Sequence, residues 1–383
     1  MAEFTVLGNA AIQELLLGLS KDDIGYFLKE LEDTLITYFC GGERQYQPDA
    51  GIINRPDGQK ILFRPFTSST TVGTKIIVHP PLTSEAPEAS PDTEQKKSAS
   101  MKTNQSPLHG TMVLTDKYGH PTGFLNAEEV TGFRTSLSAM IPYVSRHRTD
   151  KIVVFGAGKQ ALWHSRLALT IRGAQISSIT IVNRSEARAQ ELVKTLKEEN
   201  AIRWRSPCQF HFLNSSQDDG AQEKLRPCLA EADVIFCTVA SQQPLFSLEA
   251  LALEKRQGLY PLIAAVGSWQ PDMIEVHPAI LRHVTSSNGT NANGVILVDD
   301  AEAAFLHSGE IVQSGLTKMQ MLEIGQILLW KRNSELPSGQ TMWLEAGLVV
   351  YKSIGISMTD LAAGNSILAL AESKNLGTRV SGF

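Results

Sequence analysis

The feature that most constrains the fold is a glycine-rich turn between an apolar run and a helical segment. Residues 152–155 are apolar and of strand length, and residues 160–171 carry apolar side chains at helical spacing. Between them lies Gly156-Ala157-Gly158-Lys159-Gln160-Ala161, a G-x-G-x-x-A pattern. The first glycine permits a tight turn, the second lets a pyrophosphate approach the backbone, and the alanine keeps the helix close to the strand. In this setting the pattern predicts a dinucleotide-binding Rossmann turn.

Strands and helices continue to alternate beyond this turn. Residues 178–182 predict a second strand and residues 186–197 a second helix, while 233–238 and 262–266 are further apolar runs of strand length. Residues 206–226 are polar and predict a loop-rich insertion. Alternating strands and helices imply a parallel sheet. The predicted fold class is therefore α/β, with a central doubly wound, Rossmann-type sheet domain.

The residues after the second predicted strand indicate which dinucleotide fits. Sites for NAD usually place an acidic residue there, which holds the ribose 2′-hydroxyl. This chain reads Asn183-Arg184-Ser185 instead, so no carboxylate repels a 2′-phosphate and Arg184 can pair with one. The alternative is that Arg184 is a solvated surface charge. The local chemistry favours NADPH over NADH.

The segments that flank the Rossmann pattern predict a second structural unit. Ser20 and Asp23 resemble a capping box ahead of a helix that ends at Gly41-Gly42. Strand-type residues follow at 60–63, 75–78, 111–115 and 123–125, the last two joined by a hairpin turn. After about residue 315 the chain becomes helical again, and we expect it to rejoin the N-terminal part.

Residues 82–107 differ in composition from the rest of the chain. They are rich in Ser, Thr, Pro, Glu and Lys and almost free of large apolar side chains. Such a segment buries too little surface to offset the entropy of ordering it. We expect a disordered insertion.

Bulk composition excludes several classes of function. A net charge of −5 argues against nucleic acid as the main partner, because phosphate binding needs a basic surface. Four cysteines without a C-x-x-C pair indicate reduced thiols, and nine histidines show no metal-ligand spacing. No signal peptide or membrane span is expected, since the apolar runs are too short. We therefore expect a soluble cytoplasmic protein that binds no metal and no membrane.

Several segments together resemble the ornithine cyclodeaminase/mu-crystallin family. In chain order they are T-K-I-I-V, L-T-D-x-x-G-x-P-x-G-F-L-N, R-T at 134–135, V-V-F-G-A-G-K-Q-A, A-D-V-I-F-C-T, A-A-V-G-S, D-D-A-E-A-A, S-G-E-I and Y-K-S-I-G-I-S-M-x-D. They keep the family's order across residues 47–361. The resemblance implies a Rossmann domain at residues 131–317. It also implies a discontinuous α+β domain, residues 1–130 with 318–383, which binds substrate and forms a homodimer through its sheet.

The resemblance also implies roles for individual residues. Lys75 matches the lysine that faces the substrate, and Arg134 matches the arginine that contacts the substrate carboxylate, so both are candidate catalytic residues. Ile354 and Gly355 match positions beside the substrate. The residues that match cofactor positions are Thr111, Thr135, Thr238, Val239, Ala265, Val266 and Ser353. Apart from the resemblance, a lysine inside an apolar strand either points outward or is placed for a reason.

Two departures from the family pattern bear on activity. Cyclodeaminases carry a general-base Asp two positions after the glycine of A-A-V-G, where this chain has Trp269, which cannot exchange a proton. Trp269 is then either a packing residue or an apolar wall of the cleft. The family's Q-P-x-R arginine is also missing, since residues 47–50 read Q-P-D-A. Either Arg64 supplies the charge, or the substrate lacks an α-carboxylate.

These observations favour an NADPH-dependent reductase of a small, cyclic imine or ketimine. One alternative is an amino-acid or amine dehydrogenase that runs the reverse reaction. Another is a non-catalytic protein that binds NADPH and a small ligand.

Overall fold

The computed structural model describes residues 3–79, 109–215, 219–286 and 294–382. The insertion predicted at residues 82–107 lies outside these ranges. The strands are β1 (Glu3–Leu7), β2 (Gly51–Asn54), β3 (Lys60–Thr67), β4 (Thr71–His79), β5 (His109–Asp116), β6 (Pro121–Asn126), β7 (Lys151–Phe155), β8 (Ser178–Asn183), β9 (Gln209–Asn214), β10 (Val234–Cys237), β11 (Leu262–Ala265), β12 (Ile296–Val298), β13 (Met321–Glu323), β14 (Val349–Lys352) and β15 (Thr378–Ser381).

The α-helices lie between these strands in chain order. They are α1 (Asn9–Leu17), α2 (Lys21–Cys40), α3 (Ala127–Tyr143), α4 (Lys159–Arg172), α5 (Glu186–Glu199), α6 (Asp219–Glu231), α7 (Pro278–Thr285), α8 (Ala301–His307), α9 (Gly309–Ser314), α10 (Ile324–Arg332), α11 (Ser338–Ala346) and α12 (Ser357–Ser373). In the described part of the chain, no helix is both long and apolar enough to cross a membrane.

An eight-stranded parallel sheet forms the Rossmann unit, in the order β13-β12-β14-β11-β10-β7-β8-β9. Side chains along a strand alternate between faces, so Ile152 and Val154 of β7 enter one core cluster and Val153 and Phe155 the other. Both faces are therefore covered, which explains why these strands read as continuous apolar runs. The predicted α/β class with a central Rossmann-type sheet is confirmed.

A second sheet of seven strands has the order β15-β1-β6-β5-β4-β3-β2. Its inner face packs on α12, where a Cβ added at Gly364 would lie 2.6 Å from the terminal methyl group of Met112. The outer face leaves large apolar side chains exposed, among them Phe63, Val72 and Phe124.

The chain after residue 318 is divided between the two sheets. β13 and β14 pair within the Rossmann sheet, and β14 lies directly beside β11. α12 and β15 instead complete the seven-stranded unit. The sequence led us to expect the whole segment in one domain. Strand pairing over such separations leaves no local mark, so the sequence does not show where this segment divides.

The loop-rich interpretation of residues 206–226 is wrong for most of that segment. β9 is the edge strand of the Rossmann sheet, and α6 begins at Asp219. In β9 the buried Phe210 lies between the exposed Gln209 and His211. An edge strand alternates apolar and polar residues when only one of its faces is covered, so it lacks the continuous apolar run that marks a fully buried strand.

The helix α3 carries the chain from the seven-stranded unit into the Rossmann unit. Phe133 on α3 packs edge-on against Phe27 of α2, with ring centres 5.2 Å apart, and against Trp163 of α4 at 5.4 Å. The N-terminus of α2 has the expected capping box, in which the Asp23 carboxylate accepts from the Ser20 N–H at 2.8 Å. One continuous core thus joins the two units and places the next residue, Arg134, at their junction.

Candidate functional site

The glycine turn after β7 leaves its backbone open at the N-terminus of α4. Gly156 has a φ of +114°, and a Cβ there would lie 2.6 Å from the Thr238 hydroxyl oxygen. That hydroxyl donates to the Phe155 carbonyl at 2.7 Å, which ties the turn to the end of β10. At Gly158, which caps α4, an added Cβ would meet no heavy atom within 4 Å. The open backbone at a helix N-terminus fits a dinucleotide pyrophosphate.

The loop after β8 is ordered by its own hydrogen bonds and leaves Arg184 exposed. The Asn183 amide donates to the Ser185 carbonyl at 2.9 Å, and the Ser185 hydroxyl accepts from the Arg188 N–H at 3.4 Å. Among the described residues we find no ion pair or hydrogen bond of the Arg184 side chain. Its guanidinium is thus free to pair with an anion.

Where the two units meet, three cations surround one buried carboxylate. The Lys75 ammonium lies 2.7 Å from Asp360 Oδ1 and 3.3 Å from the Thr131 hydroxyl. The Arg134 Nε lies 2.8 Å from the same carboxylate oxygen. Arg64 is the direct cross-strand neighbour of Lys75 and donates to the Gly355 carbonyl at 2.5 Å. Strand pairing and the start of α12 therefore bring these side chains together.

Burial and charge set the protonation of this group, which we call the cation cluster (Arg64, Lys75, Arg134 and Asp360). Burial, with help from the two arginines, lowers the pKa of Lys75 to about 7 against the opposing effect of Asp360. Burial alone would raise the pKa of Asp360, but Arg134, Lys75 and Arg64 outweigh it and hold this pKa at about 2. The cluster thus carries an excess of positive charge, which suits an anionic ligand.

The loop after β14 is held by a buried carboxylate that our sequence reasoning missed. Asp299 accepts hydrogen bonds from the Ser353 hydroxyl at 2.7 Å, the Ile354 N–H at 3.1 Å and the Gly355 N–H at 2.7 Å. Gly355 has a φ of +92°, and a Cβ there would lie 3.0 Å from Arg134 Nη1. Asp299 therefore holds Gly355 against the arginine.

Two further site residues were present in the motifs but received no role. Asp299 opens D-D-A-E-A-A and Asp360 closes S-M-x-D. A buried cation needs an acidic partner. The acidic residues of these motifs could therefore have been identified as candidate partners of Lys75 and Arg134.

Trp269 lies at a contact between the two units. Its side chain is half-buried, and the Lys60 ammonium lies 4.8 Å from the centre of its ring. Lys60 opens β3, so this cation–π contact joins the Rossmann loop after β11 to the seven-stranded unit. The sequence offered Trp269 as either a packing residue or an apolar wall of the cleft, and it gave Lys60 no role.

Not every predicted site residue reaches the site. Lys75 lies opposite Met112 in the sheet, and Thr111 is the residue directly before Met112 in β5. Side chains alternate along a strand, so Thr111 points to the other face. The Lys159 ammonium pairs with Glu129 at 2.6 Å, and the Gln160 amide donates to the Thr131 carbonyl at 3.2 Å. These two side chains tie α4 to α3, and only their backbone belongs to the glycine turn.

The remaining predictions fall on neighbouring strand ends. Thr238 and Val239 follow β10, Ala265 ends β11 and Val266 follows it, and Ser353 follows β14. Thr135 is buried on α3 beside Arg134. Among the described residues, no group of three or more His, Cys, Asp or Glu side chains is placed to hold a metal ion.

A Rossmann sheet with an open glycine turn, and a buried cation cluster at the same edge of that sheet, form an arrangement of dinucleotide-dependent oxidoreductases. A family model for shikimate/quinate 5-dehydrogenase matches residues 141–208, the first strand–helix–strand part of that sheet. An uncharacterized cyclodeaminase from Dictyostelium discoideum is 27% identical over 282 residues, 71% of this chain and 72% of the relative. The ketimine reductase mu-crystallin of Macropus fuliginosus is 22% identical over 69% of this chain and 70% of its own.

Solved structures of the same fold cover the whole chain. The iminosuccinate reductase of Paracoccus denitrificans with NAD⁺ has a TM-score of 0.70 at 17% identity, and each chain is covered fully. The Δ¹-pyrroline-2-carboxylate reductase of Thermococcus litoralis, in complex with NADH and L-proline, has a TM-score of 0.69 at 16% identity, with 98% of this chain and 100% of that chain covered. An archaeal alanine dehydrogenase dimer with bound NAD has a TM-score of 0.67 at 18% identity, and both chains are covered fully.

These relatives and structural neighbours are ornithine cyclodeaminase/mu-crystallin-like, which confirms the resemblance seen in the sequence. They include imine reductases and cyclodeaminases, and their structures hold nicotinamide dinucleotides. At these identities the structural likeness shows the fold alone.

Proposed function

We propose that this chain is an NADPH-dependent reductase of a small, cyclic ketimine that carries a carboxylate. The observation that carries the proposal is the cation cluster, which contacts the loop after β14 at the same edge of the Rossmann sheet as the glycine turn. Its excess of positive charge favours an anionic substrate over one that lacks a carboxylate.

Arg134 and Arg64 are the candidate residues that bind the substrate carboxylate. The Nε of Arg134 contacts Asp360, and we find no hydrogen-bond partner of its Nη groups among the described residues. Arg64 supplies from β3 the charge that the Q-P-D-A segment lacks, and a guanidinium fork matches a carboxylate. The two arginines orient the C=N bond relative to Lys75.

Lys75 is the candidate proton donor. An imine accepts hydride readily only when its nitrogen is protonated, and a lysine with a pKa near 7 gives up a proton at neutral pH. The chemistry that a bound reduced nicotinamide supplies is a hydride for the C=N carbon. Asp360 keeps the lysine side chain oriented, and the lysine is charged when the pH is below its pKa. The half-buried Trp269 limits the access of water to the cleft.

The test is the loss of NADPH absorbance with a matched set of imines. We expect turnover of Δ¹-pyrroline-2-carboxylate or Δ¹-piperideine-2-carboxylate and little turnover of the same rings without the carboxylate. Ornithine with NAD⁺ should give no proline, because Trp269 replaces the base. NADPH binding without turnover of any imine would support the binding-protein alternative. Oxidation of a cyclic amino acid without reduction of its imine would support the dehydrogenase.

The preference for NADPH is tested at Arg184. In the Arg184→Ala variant we expect NADPH affinity to fall about tenfold or more, because a charge-assisted pair with the 2′-phosphate is lost. NADH affinity should change less than twofold. Fluorescence titration of both nucleotides measures the two values, with Arg188→Ala as a neighbouring exposed control. Equal affinity of the wild-type protein for NADH and NADPH would contradict the assignment.

A homodimer through the outer face of the seven-stranded sheet is the proposed assembly. Val113 lies between Thr74 and Phe124 on that face, where Phe63, Val72 and Phe124 are each more than a third exposed. A contiguous apolar patch of this kind is usually covered by a partner. Val113→Lys should therefore halve the molar mass measured by light scattering. The same change at Tyr118, in the exposed hairpin turn, should not. A wild-type monomer would contradict the proposal.

A further inference from the structure

A second buried polar group lies at the carboxyl edge of the Rossmann sheet, outside the cation cluster. Glu275, Ser268, Glu310 and Lys352 are each at most 2% exposed. Ser268 follows β11 and Lys352 ends β14, which are neighbouring strands. We call this group the edge cluster. Sequence reasoning gave none of its members a role, although the motifs A-A-V-G-S, S-G-E-I and Y-K-S-I-G contain three of them.

The Glu275 carboxylate joins the loops after two neighbouring strands. One oxygen accepts from the Val239 N–H at 2.7 Å, and the other accepts from the Gly267 N–H at 2.7 Å and the Ser268 N–H at 3.1 Å. A Cβ at Gly267 would lie 2.5 Å from both the Glu275 oxygen and the Val239 nitrogen. The loops after β10 and β11 are therefore packed directly on this carboxylate.

The other members of the edge cluster extend the connection to β14. The Lys352 ammonium donates to the Ser268 carbonyl at 2.5 Å and to its hydroxyl at 2.6 Å. The Ser268 hydroxyl in turn donates to Glu310, which also accepts from the Glu275 N–H at 2.9 Å. Three adjacent strands of the sheet are thus linked at the edge where open α/β sheets bind ligands.

The loops that Glu275 joins carry the apolar wall beside the glycine turn. The Val239 methyl group would lie 3.3 Å from a Cβ at Gly156, and Val239, Val266 and Trp269 are all half-buried. Buried charges are poor stabilisers of a fold, because desolvation offsets most of their attraction. A role in shaping this wall accounts for the three buried charged groups Glu275, Glu310 and Lys352 better than stability does.

We propose that Glu275 is a positioning residue for the nicotinamide half of the cofactor. By accepting from the Val239, Gly267 and Ser268 N–H groups, it holds the wall on which the nicotinamide ring rests, while the adenosine half binds at the glycine turn and Arg184. The inference rests on the proposed function only in requiring that a nicotinamide dinucleotide binds.

The test compares a whole dinucleotide with its adenosine half. In Glu275→Gln the amide group places donors against backbone donors, so the loop after β10 or β11 should separate from the side chain. We expect the reduced dinucleotide that wild type prefers to bind at least tenfold more weakly. Binding of the matching adenosine nucleotide, 2′,5′-ADP or ADP, should change less than twofold by calorimetry. The circular dichroism of bound dinucleotide near 340 nm should also change, because it reports the ring's surroundings.

Asp272→Asn is the matched control, since Asp272 is an exposed carboxylate in the same loop, and it should alter neither ligand. Equal weakening of both ligands, or unchanged dinucleotide binding, would overturn the proposal. If Glu275→Gln does not fold, Ser268→Ala carries the same comparison, because it removes the hydroxyl's links to Glu275, Glu310 and Lys352 but no backbone contact. Binding is measured without substrate, so the test does not depend on turnover. If the protein reduces no imine, the proposed reaction is wrong, but the role of Glu275 can still be tested.

Discussion

Lys75→Met is expected to lower kcat on the preferred ketimine by about 10²–10⁴-fold, the usual contribution of a positioned acid or base. Methionine has a similar length and fits the buried position, but it has no proton to give. The Lys75 ammonium lies in the cation cluster, away from the glycine turn, so NADPH affinity should stay within about twofold. Steady-state kinetics and fluorescence titration measure the two effects. Wild-type turnover by this variant would remove Lys75 from the mechanism.

The pH dependence of turnover gives an independent check on the same residue. Burial lowers the pKa of Lys75 to about 7, so the protonated donor is present below pH 7 and is lost as the pH rises through it. We therefore expect kcat of the wild-type protein to fall above about pH 7. In Lys75→Met the remaining rate should lack that limb, because no titrating donor remains. The same limb in both proteins would assign it to another group.

The second large effect concerns stability. Asp360→Ala is expected to reduce the free energy of unfolding by about 3–5 kcal/mol, because it leaves buried cations without their partner. Both Lys75 and Arg134 contact the one carboxylate oxygen, and Lys75 is fully buried. Urea unfolding followed by far-ultraviolet circular dichroism measures the change. Glu372→Ala, at an exposed position on the same helix, is the control and should change stability by less than about 0.5 kcal/mol.

A double variant separates charge pairing from packing. In Lys75→Met with Asp360→Ala, the loss of unfolding free energy should be smaller than in Asp360→Ala alone, since one cation no longer needs a partner. A strictly additive double variant would show that the cluster is not coupled.

The stability of the wild-type protein should also depend on acid pH through Asp360. The cations hold the pKa of Asp360 at about 2, below its ordinary value of 3.8. Its contribution to stability is therefore complete above pH 4 and is lost as the pH falls from 3.8 towards 2.

Local sequence patterns determined the elements with strong physical signals. The G-x-G-x-x-A turn was recognisable because only small residues fit against Thr238 and beside a pyrophosphate. The N-terminus of α2 was recognisable because Ser20 and Asp23 satisfy each other's N–H groups within four residues. The buried strands of the Rossmann sheet were recognisable because both of their faces are covered. Each of these signals lies within one element or at its ends.

Weak local signals gave wrong or incomplete predictions. β9 is an edge strand with one covered face, so its polar residues favoured a loop. The segment after residue 318 contributes to both sheets, and strand pairing over long separations leaves no local mark. Thr111 matched a cofactor position of the family, but its side chain takes the face opposite to Lys75 because strands alternate with a period of two.

Lys75 and Arg134 were candidates from sequence alone, since a lysine in an apolar strand needs an explanation. Their meeting with Asp360, 285 and 226 residues further along the chain, was decided only when α12 packed on the inner face of the seven-stranded sheet. The same holds for Glu275, whose three backbone donors come from loops after separate strands. Sequence by itself determined which residues carry charge and where turns must be tight. Only the tertiary structure decided which charges share a buried space, because that depends on strand register and helix packing across the whole chain.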